Sequence, residues 1–322
     1  MVTLFTDSQS TSRSVSPMSP TRRNESFLTG EYGLTAGIES LCITRTFTRI
    51  SNLARDATMI FDSLNANDFS GNQWILVLGL SQKTIDKLDR ENDCMNGVCF
   101  RLEWDGTTGL IKVMPGAGHE MPINDFTFVV FGALSAMGLD WRDIRWGGAT
   151  RYRSPLGNKG KEGDQILLPR NRQPVQGQIQ DWPTLVIETG VSESLRKLQE
   201  DAKWWFNNSS GRVRIVILIS LKRTKMLFQK WQLMPPNAPK PITRQYISLL
   251  HQQSPNIPPL VNQPATTQTL YMDQEVTVTP HAVIGAPMVL HFQALMDRAP
   301  GLNETDIPIT AQHFRYFAET WL

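Results

Sequence analysis

Residues 182–221, WPTLVIETGVSESLRKLQEDAKWWFNNSSGRVRIVILISL, constrain the fold more than any other part of the chain. An apolar strand over 184–187 runs straight into Glu188. A helical segment follows, and then a second apolar strand over 213–221. The segment thus reads as a strand–helix–strand unit. A carboxylate at the end of such a strand is costly unless something binds it, and a metal ion is one such partner. Glu188 is therefore the residue to explain.

The 322 residues suffice for one large domain or two ordinary ones, and an apolar fraction of 40% supplies a core. The formal charge of +2 gives no global preference for nucleic acid or membrane. Basic residues gather locally, with Arg196, Arg212 and Arg214 among them. The ordinary reading of such a run is a solvated face. Cys42, Cys94 and Cys99 are too few and too scattered for a disulfide framework or a zinc knuckle. Without a secretory start or an apolar run of membrane-spanning length, an intracellular protein, cytoplasmic or nuclear, is expected.

Residues 1–30, rich in Ser, Thr, Pro and Arg, read as a disordered tail. A helical pattern spans 37–64, WILVLGL over 74–80 a buried strand, and 81–88 a helix capped by Ser81. Two strands flanking DGTTG form a hairpin over 100–114, and 123–139 an apolar helix. Residues 154–163 read as a loop, 165–168 as a short strand and 170–181 as a surface loop. A strand over 226–233 precedes a proline-rich connector, then short strands and a terminal helix over 310–322. Strands and helices intermix without regular alternation, which points to an α/β domain with a mixed β-sheet flanked by helices. Residues 31–233 would form that domain, with 234–322 as a C-terminal extension wrapped around its core.

Asp164 precedes one short strand and Glu188 ends another. If these strands are neighbours, both carboxylates meet at one sheet edge, where hard oxygens suit Mg²⁺. The competing reading makes Asp164 a turn residue and Glu188 a neighbour of a helix cap. On the helical wheel, Leu195, Leu198, Ala202, Trp205 and Phe206 fill a buried arc of about 100°. Ser192, Gln199 and Lys203 share one flank within roughly 40°. From that flank Lys203 could lean toward Glu188, or it could simply snorkel at the core rim.

The segments RLEWDGTTGLIKVMPGAGHE over 101–120, GDQILLP over 163–169 and the stretch 182–231 together resemble the Uma-type restriction endonuclease family. That family belongs to the PD-(D/E)XK nuclease superfamily, and GAPMVLHFQALMDRAPGLNETDI over 285–307 is similar to its fungal forms. The resemblance implies a restriction-endonuclease-like fold and a Mg²⁺-dependent endonuclease that hydrolyses DNA phosphodiester bonds. Asp164 and Glu188 would be metal ligands, joined by the carbonyl of Thr189. The lysine that normally stands two residues after the glutamate is replaced by Gly190, and the resemblance puts Lys203 in its role. Gln199, one turn before Lys203, could assist it as a supporting residue, and Glu103 and His119 match positions of the family. Arg196, Arg212 and Arg214 would meet backbone phosphates. The alternative is a catalytically inactive binding or scaffold protein on the same fold.

Overall fold

The computed structural model describes residues 31–322 apart from 68–69, 91, 115–120, 173–180, 192–194, 237, 254–260 and 320. The tail over 1–30 and His119 lie outside the described residues. Helix α1 (Glu31–Leu34) precedes β1 (Ile43–Thr46), α2 (Ile50–Ala66), β2 (Trp74–Leu78) and α3 (Gln82–Arg90). The hairpin β3 (Phe100–Asp105) and β4 (Thr108–Val113) leads into α4 (Met121–Ala136). Short strands β5 (Ile144–Trp146), β6 (Arg151–Arg153), β7 (Lys159–Glu162) and β8 (Gln165–Pro169) come next. Then come β9 (Leu185–Val191), α5 (Leu195–Asn208), β10 (Ile215–Lys222) and β11 (Lys225–Leu233). The rest holds α6 (Arg244–Gln253), β12 (Leu270–Val278), β13 (Val283–Ile284), β14 (Met288–Leu290), α7 (Phe292–Met296), β15 (Ile307–Ile309) and α8 (Ala311–Glu319).

The architecture is mixed α/β, built on two mixed sheets flanked by helices. One sheet has the order β1–β2–β4–β3–β7–β6 and the other β13–β12–β11–β10–β9–β8–β5, while β14 and β15 form a separate ribbon. Each large sheet has one parallel pair, β1 with β2 and β9 with β10; the remaining pairs are antiparallel. Helix α5 makes the crossover that the parallel pair β9 and β10 requires.

Alternation along β9 and β10 sends side chains to two different cores. Ile187, Ile217 and Ile219 pack with Phe126, Val130 and Leu134 of α4 and Phe314 and Phe317 of α8. Val186, Val216 and Leu218 pack on the other face with Leu198, Ala202, Trp205 and Phe206 of α5. In the other sheet Ile75, Val77, Leu102, Ile111 and Val113 meet Leu53, Ala57, Ile60 and Leu64 of α2. Among the described residues no helix is long and apolar enough to cross a membrane.

Two elements differ from the sequence expectation. The helical pattern over 37–64 is interrupted by β1, whose ITRT pairs parallel with β2, Ile43 opposite Ile75. Isoleucine and threonine are β-branched, stiff at χ1 and better placed in a strand, so the helix begins only at Ile50. The expected loop over 154–163 contains β7. Its pairing puts Gly160 opposite Trp104 of β3, and a Cβ at Gly160 would lie 2.0 Å from the indole. The glycine here is a seat for a buried ring, not a sign of a loop. Gly160→Ala is expected to lower stability by about 1–3 kcal/mol through overpacking, read as a lower urea midpoint at unchanged m-value.

Candidate functional site

The site lies where the two sheets meet, at the edge of β9. Strand β8 pairs with β9 only as far as Gln165 opposite Ile187. Beyond that register the β9 backbone is buried with no strand on this side among the described residues, and each polar group needs another partner. Side chains supply them. The Thr189 N–H donates to Asp164 Oδ2 at 2.8 Å, Lys112 Nζ donates to the Thr189 carbonyl at 2.7 Å, and Gln73 Nε2 donates to the Val191 carbonyl at 3.4 Å.

The facing side chains come from β3 and β4. Leu102, Trp104, Ile111 and Val113 point into their own core, so alternation turns Arg101, Glu103 and Lys112 the other way. Arg101 and Lys112 are directly opposed across the hairpin. Like charges in that relation repel unless an anion lies between them. Asp164 is that anion: Oδ1 is 3.7 Å from Arg101 Nε and Oδ2 is 3.9 Å from Lys112 Nζ.

Glu188 shares a face of β9 with Val186, the side covered by α5. Its Oε1 accepts a hydrogen bond of 2.6 Å from Trp205 Nε1, and Lys161 Nζ is 3.7 Å from the same oxygen. Gly163 makes room for the ring, since a Cβ there would come within 3.3 Å of Trp205. Beside Glu188 lies a buried quartet of alternating sign. Lys197 Nζ is 2.8 Å from Glu103 Oε2 and 2.5 Å from Asp201 Oδ1, and Lys161 Nζ is 3.3 and 3.0 Å from the same two atoms. The Trp74 ring serves both ends, with Lys112 Nζ 5.4 Å and Lys197 Nζ 5.7 Å from its centroid. Glu103, Asp164, Glu188, Asp201, Lys112 and Lys161 line a small, partly open pocket with a cavity volume of about 20 Å³.

Burial pushes the Glu188 carboxyl up to about 8; Lys161 opposes the shift, while Asp201 and Asp164 add to it. Burial pulls Lys161 and Lys197 down, but Asp201 and Glu103 overcome it and hold both above the usual lysine range. Burial likewise raises Asp201, and the two lysines more than reverse that, leaving it below the usual carboxylate range.

The expected site residues separate clearly. Asp164, Glu188 and Glu103 come together in the pocket. Lys203 does not: its side chain is 49% exposed and pairs with Glu200 at 2.6 Å. Gln199 lies half-buried, with Nε2 3.5 Å from Gln229 Oε1. The reason is the choice of helix flank. The core arc of α5 has two flanks, and the one turned toward the pocket carries Lys197 and Asp201, not Gln199 and Lys203. Arg212 pairs with Asp181 and Arg214 with Asp297, so both guanidiniums are committed within the chain; Arg196 is exposed. Sequence reasoning did not single out Lys112, Lys161, Lys197, Asp201, Arg101 or Trp205. The alternation in RLEWD and GLIKV carried a signal for the first and fifth of these, because it sets charged residues on one face of a hairpin whose other face is apolar.

For a metal ion, the relevant donors are the Asp164 and Glu188 carboxylates and the Thr189 carbonyl. Among the described residues no group of three acidic, histidine or cysteine side chains could hold an ion. Two carboxylates and a carbonyl are nevertheless a hard-oxygen set of the kind Mg²⁺ takes when water completes its shell. The Lys112 ammonium, on Thr189 and near Asp164, shows that these oxygens already attract a cation.

No family model matches the chain, and no curated protein matches it. Among solved structures, one match is a protein of Anabaena variabilis described as "a putative nuclease belonging to DUF820". It shares 16% identity, covers 46% of this chain and 84% of its own, and has a TM-score of 0.32. A likeness of that size assigns no residue a role.

Two outcomes follow from the electrostatics. Lys197→Met should cost about 3–5 kcal/mol in chemical denaturation, because Glu103 and Asp201 stay buried with one cation fewer. For Glu188, a carboxyl raised to about 8 means that the folded chain keeps a proton the unfolded chain releases near the ordinary glutamate value of 4.5. Its contribution to stability therefore falls as pH rises between those values. Glu188→Gln should flatten the stability profile across that window, measured by thermal melts from pH 5 to 8.

Proposed function

We propose that this chain is a Mg²⁺-dependent phosphodiesterase of the PD-(D/E)XK kind that acts on DNA. The observation that carries the reading is the convergence of Asp164 and Glu188 on one pocket that also holds the Lys112 and Lys161 side chains, with the Thr189 carbonyl held by Lys112 at its edge. When bound, Mg²⁺ supplies Lewis-acid charge to a phosphoryl group. The chain's own residues do the rest. Asp164 is fixed by the Thr189 N–H, and Glu188 is aimed by Trp205. Among the described residues both contacts of Glu188 fall on Oε1, which leaves Oε2 for a ligand. Lys161 takes the cationic role vacated at Gly190, since its ammonium already stands beside Glu188. Arg101, partly exposed at the pocket with a buried Nε that makes no hydrogen bond among the described residues, suits a phosphate oxygen of the substrate.

A second reading, a binding protein that has lost catalysis, is favoured by one observation: Asp164 and Glu188 each already lie near a lysine ammonium. Plasmid nicking separates the two. The catalytic reading expects cleavage with Mg²⁺ and none with chelator. Glu188→Gln and Asp164→Asn should each lose about 100-fold or more, and Lys203→Ala should stay within about twofold of the parent. Cleavage that survives Glu188→Gln sinks the catalytic reading, and a complete absence of Mg²⁺-dependent nicking favours the binding protein.

A further inference from the structure

Lys112 stands out among the pocket cations for what its ammonium touches. It donates to the Thr189 carbonyl at 2.7 Å and lies 3.9 Å from Asp164 Oδ2. These are two of the three donors assigned above to the ion. Mg²⁺ holds its oxygens at about 2.1 Å, so an ion and an ammonium sharing the Thr189 oxygen would lie within about 5 Å of each other. The lysine side chain is 7% exposed, and there salt and water screen repulsion poorly. Both cations also draw on the same negative charge, because Arg101 already takes part of Asp164.

We propose that Lys112 is an internal competitor for the metal. Its ammonium closes the oxygen set in the resting protein and withdraws from Thr189 before an ion binds there. Mobility is built into the residue: lysine is a point charge on a flexible unbranched stem, not a planar fork locked in place. A second stabilising surface is at hand, since the Trp74 ring centroid is 5.4 Å from Nζ. The inference rests on the metal-dependent reading above and deepens it, because it makes ion affinity a property tuned from β4.

The bland role for Lys112 is an anchor that satisfies a buried carbonyl. Lys112→Gln tells the two apart, since its amide can still donate to Thr189 while the charge is gone. Mn²⁺ serves as the probe. Binding to the full chain is measured by electron paramagnetic resonance and by the shift in melting temperature. The parent is compared with Lys112→Gln, Lys112→Met, Lys112→Arg and Glu188→Gln. Competition expects Lys112→Gln to bind Mn²⁺ about tenfold more tightly than the parent, with Lys112→Arg no tighter. Lys112→Met should follow Lys112→Gln if its melt shows a folded chain. If the parent binds Mn²⁺ in a manner that Glu188→Gln abolishes and Lys112→Gln binds no tighter, Lys112 is only an anchor; the competition idea falls and the metal site stands. If neither the parent nor Lys112→Gln binds Mn²⁺, the metal-dependent reading falls and the competition falls with it.

Discussion

The structure turns on the edge of β9 beyond Ile187, where a buried strand runs out of strand partners on one side. Backbone groups there must be satisfied, and the other sheet does part of the work through Lys112 and Gln73. Asp164 completes it by bonding the Thr189 N–H while lying between Arg101 and Lys112. A single carboxylate thus joins the two sheets and quenches a like-charge pair across a hairpin. The same requirement concentrates ionisable groups in a place where charge is expensive. Structural necessity and chemical opportunity coincide at these few residues.

The quartet of Glu103, Lys161, Lys197 and Asp201 extends this logic. Each ammonium meets both carboxylates of the quartet, and Lys161 reaches Glu188 as well. A buried pair rarely adds much net stability over apolar residues of the same shape, but removing one member is costly. The quartet therefore acts more as a specification of how β3, β7 and α5 sit together than as a source of stability. Glu188 is held on its margin by the Trp205 indole and Lys161, in surroundings that favour its neutral form.

Much of the fold was legible in the chain. The unit β9–α5–β10 and the hairpin β3–β4 follow from apolar runs, a helical period and the turn DGTTG. The adjacency of Asp164 and Glu188 follows once β8 pairs with β9. Other parts were hidden for physical reasons. Strand β7, KGKE, has neither apolar alternation nor length; it pairs with β3 and β6, and its Gly160 leaves the space that Trp104 fills. Lys203 was expected at the site, and Lys197 was not, because a helical wheel fixes the buried arc but not which flank faces a second sheet. That distinction depends on how β3 and β4 dock, which no local period in α5 encodes. The arginines near β10 looked like a phosphate-binding run, but Arg212 and Arg214 had acidic partners far away in sequence, Asp181 and Asp297.

The pocket draws its charges from opposite sheets and from residues as far apart as Arg101 and Asp201, which bears on how the chain reaches its native state. Contacts of such long sequence separation form after local hairpins and helices, because the chain must first give up loop entropy to make them. A slipped docking of the two sheets would leave carboxylates and ammoniums buried without each other, at a cost that apolar contacts alone would not impose. The charged seam therefore narrows how the two sheets can dock: greasy faces can meet in several registers, but every sign must also find its opposite.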